Sequence, residues 1–267
     1  MNDSALRRIA LSWLAQGRPA RVVQVIEAQG STPREAGARM LVSAEAVQGT
    51  VGGGHLELQA VAQARAALAL GGSGGDATER RFALGPSLGQ CCGGAVTLRI
   101  SPLCEDLLAH WPPAVPRFSL QLYGAGHVGR AIVRLLADID CRVSWIDERD
   151  AEFPAGPLPP HIERLCVDEV QAEVAQAPPG AFYLVLTHSH ALDLAIVEAV
   201  LRRADFGFLG LIGSATKRAR FEHRLRERGM DDALLHRMAC PIGLPGVTGK
   251  EPAVVAVSAV AQLLQQR

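Results

Sequence analysis

Three glycines, Gly124, Gly126 and Gly129, stand in the spacing G-x-G-x-x-G, and their setting matters more than the spacing. An apolar run from Phe118 to Tyr123 leads into them, and a helix-periodic segment from Val128 to Asp138 leaves them. A second apolar run, Arg142 to Ile146, then ends at Asp147, 18 residues beyond Gly129. Strand, glycine turn, helix, strand and terminal acid together describe a dinucleotide-binding βαβ unit. Such glycines let the backbone approach a pyrophosphate at the positive end of a helix, and such an acid accepts hydrogen bonds from a ribose. The rhythm continues through expected strands at Arg164–Val167, Phe182–Leu186 and Phe206–Ile212. Helices are expected around Glu169–Gln176, from Ala191, and after Thr216. This alternation predicts an α/β fold with a Rossmann-type, doubly wound parallel sheet. In the common strand order 3-2-1-4-5, the ends of strands one and four flank one crevice. His127, His188 and His190 are then expected to face the same cleft, with Ser214 farther along its rim. Lys217, Arg218 and Arg220 read as a solvated helix face.

Trp111 to Pro116 carries three prolines in six residues, which neither continue a helix nor enter a central strand. We therefore expect a smaller α+β domain over 1–111, a linker over 112–117 and the Rossmann-like domain over 118–267. In the first part, Leu6, Ile9, Ala10, Trp13 and Leu14 follow helical spacing, with Ser4 as N-cap. Arg21–Ala28 and Ala38–Val42 read as strands, and His55–Leu70 as a helix. Arg80–Leu84 and Ala95–Ile100 read as a hairpin. Lys plus Arg and Asp plus Glu are equal at 27 each, so the chain lacks the basic excess of a nucleic-acid or membrane surface. Six cysteines in 267 residues do not make a disulfide scaffold. With no long apolar segment, the expectation is a cytoplasmic protein with reduced thiols.

Cys91 and Cys92 are adjacent and flanked by glycines at 89, 93 and 94. One trans peptide holds their Cα atoms closer than an ordinary disulfide allows. The segment either presents thiols to a ligand or forms a tight turn that buries them as small hydrophobes. Gly52, Gly53 and Gly54 precede the helix that starts near His55. Their amides suit a phosphate, or they form an ordinary loop, with Glu57 complementing the helix dipole. Arg34 or Arg39 can pair with a phosphate, or be solvated. His188 and His190, with Asp193 nearby, permit a metal site, but no third histidine has a diagnostic spacing. Strand-end, capping or cofactor-contact roles suit them better. Cys141 and Cys166 abut strands and are expected in the core, and Ala253–Leu264 is expected to close the second domain.

Several segments together resemble the XdhC/CoxI family of xanthine dehydrogenase accessory proteins. In the first domain these are 30–40 (GSTPREAGARM), 49–57 (GTVGGGHLE) and 84–94 (LGPSLGQCCGG). In the second they are 123–129 (YGAGHVG), 187–193 (THSHALD), 212–218 (IGSATKR) and 240–244 (CPIGL). The double cysteine and the Gly-Gly-Gly-His loop resemble the XdhC branch; CoxI-like relatives carry Gly-Gly-Cys there. Where relatives read Pro-Glu-Glu-Ile-Ala, this chain departs with Pro252-Ala-Val-Val-Ala256. The resemblance implies an accessory factor rather than an enzyme. Such a factor binds the molybdenum cofactor (molybdopterin), protects it while a cysteine desulfurase supplies the sulfido ligand, and delivers it to the molybdenum-binding subunit of xanthine dehydrogenase. Cys91 and Cys92 would approach the molybdenum or relay sulfur, and the glycine loops would hold the phosphate. The alternatives are an NAD(P)-dependent oxidoreductase using the Rossmann cleft, a regulatory nucleotide there, and a metal-dependent hydrolase built on His188 and His190. A homodimer is an assembly open to any of these.

Overall fold

A computed structural model describes residues 1–71, 75–84 and 93–266. The chain divides into two units, Met1–Ala114 and Val115–Arg267.

In the first unit, α1 (Asp3–Ala15) is capped by Asn2, whose side chain accepts from the amide of Ala5. Ser4, the expected cap, lies inside the first turn, because Asn2 is the residue that reaches an unpaired helix amide. The elements that follow are β1 (Ala20–Gln29), β2 (Arg39–Ser43), β3 (Val47–Gly49), α2 (Gly54–Gly71), β4 (Thr78–Ala83), β5 (Ala95–Pro102) and α3 (Glu105–Ala109). Among the described residues the strands form one antiparallel sheet in the order β3-β2-β1-β5-β4. Side chains alternate between its faces with the period of two that strands impose. Val23, Val25, Met40, Val42, Leu98 and Ile100 pack on Leu56, Ala60 and Ala64 of α2. On the other face Val22 and Leu41 meet Leu6, Ala10 and Trp13 of α1, with Leu108 and Trp111. The expected β4–β5 hairpin is present, with Ala83 opposite Ala95. Strand β3 and helix α3 are too short for periodicity to announce them.

The second unit runs β6 (Ser119–Tyr123), α4 (His127–Leu136), β7 (Arg142–Asp147), β8 (Ile162–Cys166), β9 (Phe182–Val185), α5 (His190–Arg203), β10 (Phe208–Leu211), α6 (Ala215–Glu227), α7 (Asp232–His236), β11 (Met238–Ala239) and α8 (Pro252–Gln265). The described strands are parallel, in the order β11-β10-β9-β6-β7-β8. This is the expected doubly wound order with β11 added beside β10. On one face Val185, Leu209 and Leu211 pack on Val197, Val200 and Leu201 of α5. On the other, Leu120, Leu122 and Trp145 pack on Ile132 and Leu136 of α4 and on Ala256, Ala259 and Leu263 of α8. Helix α8 thus closes this unit as expected. Two expectations change. Val170–Gln176 is a 3-10 helix rather than an α-helix. Cys141 is buried, but Cys166 is exposed, because β8 is the edge strand and half of its side chains face water.

Candidate functional site

Two places gather the residues singled out in the sequence, one in each unit. In the first unit the convergence is at one end of the sheet, where β1 leaves for Gly30 and β5 begins after Gly94. A Cβ built on Gly94 would sit 2.4 Å from the carbonyl oxygen of Ser31 and 2.5 Å from that of Gln29. Only glycine lets the two backbones approach this closely. Gly52 is similarly fixed: its φ is +136°, and a Cβ would fall 2.5 Å from Cγ of Pro33. The segments 30–33, 50–57 and 93–94 therefore meet, backbone on backbone at Gly94 and backbone on the Pro33 ring at Gly52. Gly94 also accepts from the amide of Leu84 at 2.8 Å, which closes the base of the hairpin. Cys91 and Cys92 lie outside the described residues.

The turn before α2 does not offer the open phosphate cradle expected of Gly52, Gly53 and Gly54. Glu57 reaches back from the first turn of α2 and fills it. Its Oε2 accepts from Thr50 Oγ1 at 2.6 Å, from the amide of Gly53 at 3.1 Å and from that of Val51 at 3.3 Å. An internal carboxylate occupies the place where an anion would otherwise be drawn. Arg34 and His55 are exposed on this same group of loops. The His55 ring pairs with Gln59 at 2.9 Å. The Arg34 guanidinium has no side-chain partner among the described residues, so it is the cation here best placed for an outside anion.

In the second unit, all strands being parallel, the loops after β6, β7, β9 and β10 share the carboxyl edge of the sheet. Gly124 and Gly129 are required by packing: a Cβ on Gly124 would lie 2.3 Å from the carbonyl oxygen of Leu186, and one on Gly129 would lie 2.1 Å from that of Gly124. Gly126 differs. It caps α4 with φ −69°, a value open to any residue, and a Cβ there would meet nothing within 4 Å. The fold itself does not demand a glycine at 126, whereas a ligand approaching the start of α4 would.

Asp147 is 4% exposed and already engaged. One oxygen accepts from the amide and Nε of Arg149, at 3.0 and 2.9 Å; the other accepts from the amide of Ala125 at 2.6 Å and from Arg149 Nη2 at 3.0 Å. Burial pushes this carboxyl up, but the Arg149 and Ala125 hydrogen bonds and the Arg149 charge hold it below its ordinary range. With its lone-pair positions taken, Asp147 accepts from a ribose only if Arg149 swings away. Its present work is to anchor the glycine turn to the end of β7.

His127 and His190 begin α4 and α5 and are exposed, as is His188. His188 Nε2 faces Glu148 Oε1 at 3.4 Å, beside a tight crevice that Asp147 and Thr187 also line. Ser189 caps α5, and Ser214 caps α6 by accepting from the amide of Lys217 at 3.3 Å. Lys217 is the main correction. Instead of lying on a solvated face, its ammonium reaches Oδ2 of the fully buried Asp193 at 2.5 Å and the carbonyl of Ile212 at 2.8 Å. The other oxygen of Asp193 accepts from the amide and hydroxyl of Thr187, at 3.0 and 2.7 Å. A buried carboxylate must find such partners, and these tie the loop after β9 to α5 and α6. Asp193 is thereby unavailable as the third ligand of a His188–His190 metal site. Among the described residues no group of three or more His, Cys, Asp or Glu side chains is placed to hold a metal ion.

Two family models follow the same division of the chain. Residues 120–263 match the model of the XdhC Rossmann domain, and residues 13–81 that of the XdhC and CoxI family. The uncharacterized protein YqeB of Escherichia coli K12 is 29% identical over 265 residues, which cover 94% of this chain and 44% of YqeB. The chain thus spans less than half the length of that relative. A Bacillus halodurans crystal structure described as a xanthine dehydrogenase superposes with a TM-score of 0.78 at 19% identity, covering 99% of this chain and 95% of the other. At that identity the likeness is one of fold.

Proposed function

The chain belongs to the XdhC and CoxI family, and from that premise we propose that it is a maturation factor for xanthine dehydrogenase. It would hold the molybdenum cofactor in its molybdopterin form while a cysteine desulfurase supplies the sulfido ligand. Handover to the molybdenum-binding subunit of xanthine dehydrogenase would follow, with the factor itself acting as carrier rather than enzyme.

One observation carries the proposal. Three segments of the family resemblance converge at one end of the first unit's sheet, through contacts at Gly94 and Gly52 that no larger residue permits. So tight a meeting of three loops, with Arg34 and His55 exposed on it, suits a ligand held across them. The cofactor supplies a phosphate and a soft metal centre, and the fit of this site to the two is uneven. For the phosphate, the Gly53 amide is taken by Glu57 and the Gly52 amide by Thr50 Oγ1, while Arg34 and His55 are exposed and able to hold it. For the metal, we assign Cys91 and Cys92, since molybdenum accepts thiolates and sulfur transfer needs them. Three other thiols are disfavoured as thiolates. Burial pushes the thiols of Cys141 and Cys240 up, and Cys166 is pushed up by partial desolvation and by Asp150, Asp147 and Asp168.

The second unit has a separate claim on a phosphate-bearing ligand, through the open space at Gly126. A nucleotide such as NAD(P), or the cofactor's own phosphate, would suit the start of α4, with His127 and His190 at the same sheet edge. No helix among the described residues is long and apolar enough to cross a membrane. Cofactor loading of the full chain, with and without Cys91 and Cys92, tests the proposal.

A further inference from the structure

Gln24 sits between two arginines. In the register of the first sheet it lies opposite Arg39 on β2 and opposite Arg99 on β5, so the three side chains form a row across adjacent strands. Their alternation places them on the face of Val22 and Leu41, away from α2. Strand spacing of about 4.8 Å sets the two arginine stems about 10 Å apart, within the reach of both guanidinium groups toward one ligand. With Ser101, two residues beyond Arg99, they line a cavity of about 430 Å³.

Asp106 and His110 also line this cavity, and three of its polar side chains, Arg39, Gln24 and Ser101, make no hydrogen bond with another described side chain. The Arg39 side chain is 13% exposed, yet its nearest carboxylate oxygen, on Asp3, is 3.7 Å away. It makes no hydrogen bond with another described residue and rests instead on the ring of Trp111, 4.8 Å from the centroid. Burial lowers its pKa more than Asp3 raises it, so the charge stands in a poorly solvated place. The carboxamide of Gln24 and the hydroxyl of Ser101 likewise have no side-chain partner among the described residues. Arg99 pairs with Glu79 at 2.6 Å in an exposed bridge, which is weak enough to be exchanged. A desolvated guanidinium held by one long ion pair and by no hydrogen bond, next to a donor–acceptor amide and a hydroxyl, is the donor set of an oxyanion site. The volume exceeds that of a bare inorganic anion, and Pro102 and Leu107 add apolar wall.

We propose that this cavity binds a small organic oxyanion, with Arg39 as its charged anchor and Gln24, Ser101 and Arg99 fixing its orientation. It is a different site from the loops that meet at Gly94 and Gly52, and it stands whether or not the chain carries molybdopterin. A phosphate monoester and a carboxylate share the required chemistry.

Titration calorimetry of the full chain with phenyl phosphate and, separately, benzoate distinguishes the two sources. One of them binds one-to-one; tighter binding of phenyl phosphate assigns a phosphate monoester, tighter binding of benzoate a carboxylate. Arg39→Gln weakens that binding at least about tenfold, as loss of a charged hydrogen-bond donor does. Gln24→Leu weakens it several-fold and leaves the arginines in place, so it decides the matter should Arg39→Gln fail to fold. Arg39→Lys keeps the charge but loses the fork, and restores only part of the affinity. The proposal is overturned if neither compound binds, or if binding survives Gln24→Leu and Arg39→Gln unchanged.

Discussion

The ammonium of Lys217, near the start of α6, lies 2.5 Å from the carboxylate of Asp193 on α5, and the two side chains are 11% and 0% exposed. Their ion pair spans 24 residues of sequence and fastens two helices to the loop that carries His188. Because the carboxylate is the more deeply buried partner, the two halves of the pair are not equivalent. Lys217→Met strands a buried charge with only Thr187 as donor and is expected to cost about 3–5 kcal/mol. Asp193→Asn keeps an acceptor for Thr187 and leaves an ammonium that can turn toward water, so it costs less. Urea unfolding midpoints of the two variants give the order directly; equal midpoints would deny the asymmetry.

The Asp147 carboxyl makes stability depend on acid pH. Held below its unfolded-state value, which is about 3.9, it stabilises the fold fully above that pH. The contribution fades as pH falls through the folded-state value, because the unfolded chain then binds the extra proton more readily. Asp147→Asn is expected to flatten this acid limb while lowering stability at neutral pH, where the Ala125 and Arg149 contacts lose their charge. Thermal midpoints between about pH 3 and pH 7 test both halves, and an unchanged acid limb would count against the assignment.

The three fingerprint glycines should separate sharply. Gly124→Ala and Gly129→Ala drive a Cβ into backbone carbonyls and are expected to cost about 3 kcal/mol or more. Gly126→Ala, placed in open space, stays within about 1 kcal/mol of the parent. Chemical denaturation distinguishes the classes, and a large loss at Gly126 would mean that the fold, not a ligand, requires that glycine.

Glu57 is expected to act as an internal stand-in for an anion. Glu57→Ala leaves the amides of Val51 and Gly53 without their acceptor and costs about 1–3 kcal/mol. It also opens the turn to phosphate from solvent. The urea midpoint of this variant should therefore rise with added inorganic phosphate more than that of the parent, and equal responses would show that the turn has no anion affinity of its own.

Much of this architecture is legible in the residues before any coordinates. The strand–glycine–helix–strand pattern around Gly124 and Asp147 carries the parallel sheet, and the apolar alternation of Val23, Val25, Met40 and Val42 carries the antiparallel one. What escapes is partnership at a distance. Lys217 sits in a run of basic residues that looks solvated, and nothing near it in sequence points to Asp193. Glu57 reads as a dipole partner until the turn folds back on it. Cys166 looks like core because its exposure depends on β8 being an edge strand, a property of sheet order rather than of the strand. Arg149, two residues past Asp147, is the exception: its proximity was a local signal that the acid had a partner at hand. Of the candidate site, the segments are legible while their convergence at Gly94 and Gly52 is not, and Cys91 and Cys92 lie outside the described residues.

The most direct test of cofactor carriage is metal and pterin analysis of the full chain after anaerobic incubation with molybdenum cofactor and removal of the excess. The parent protein is expected to retain molybdenum and pterin together, one of each per chain or per site of a dimer. The Cys91→Ala, Cys92→Ala double variant is expected to lose the metal. Retention of neither by the parent, or equal retention by the double variant, would contradict the account.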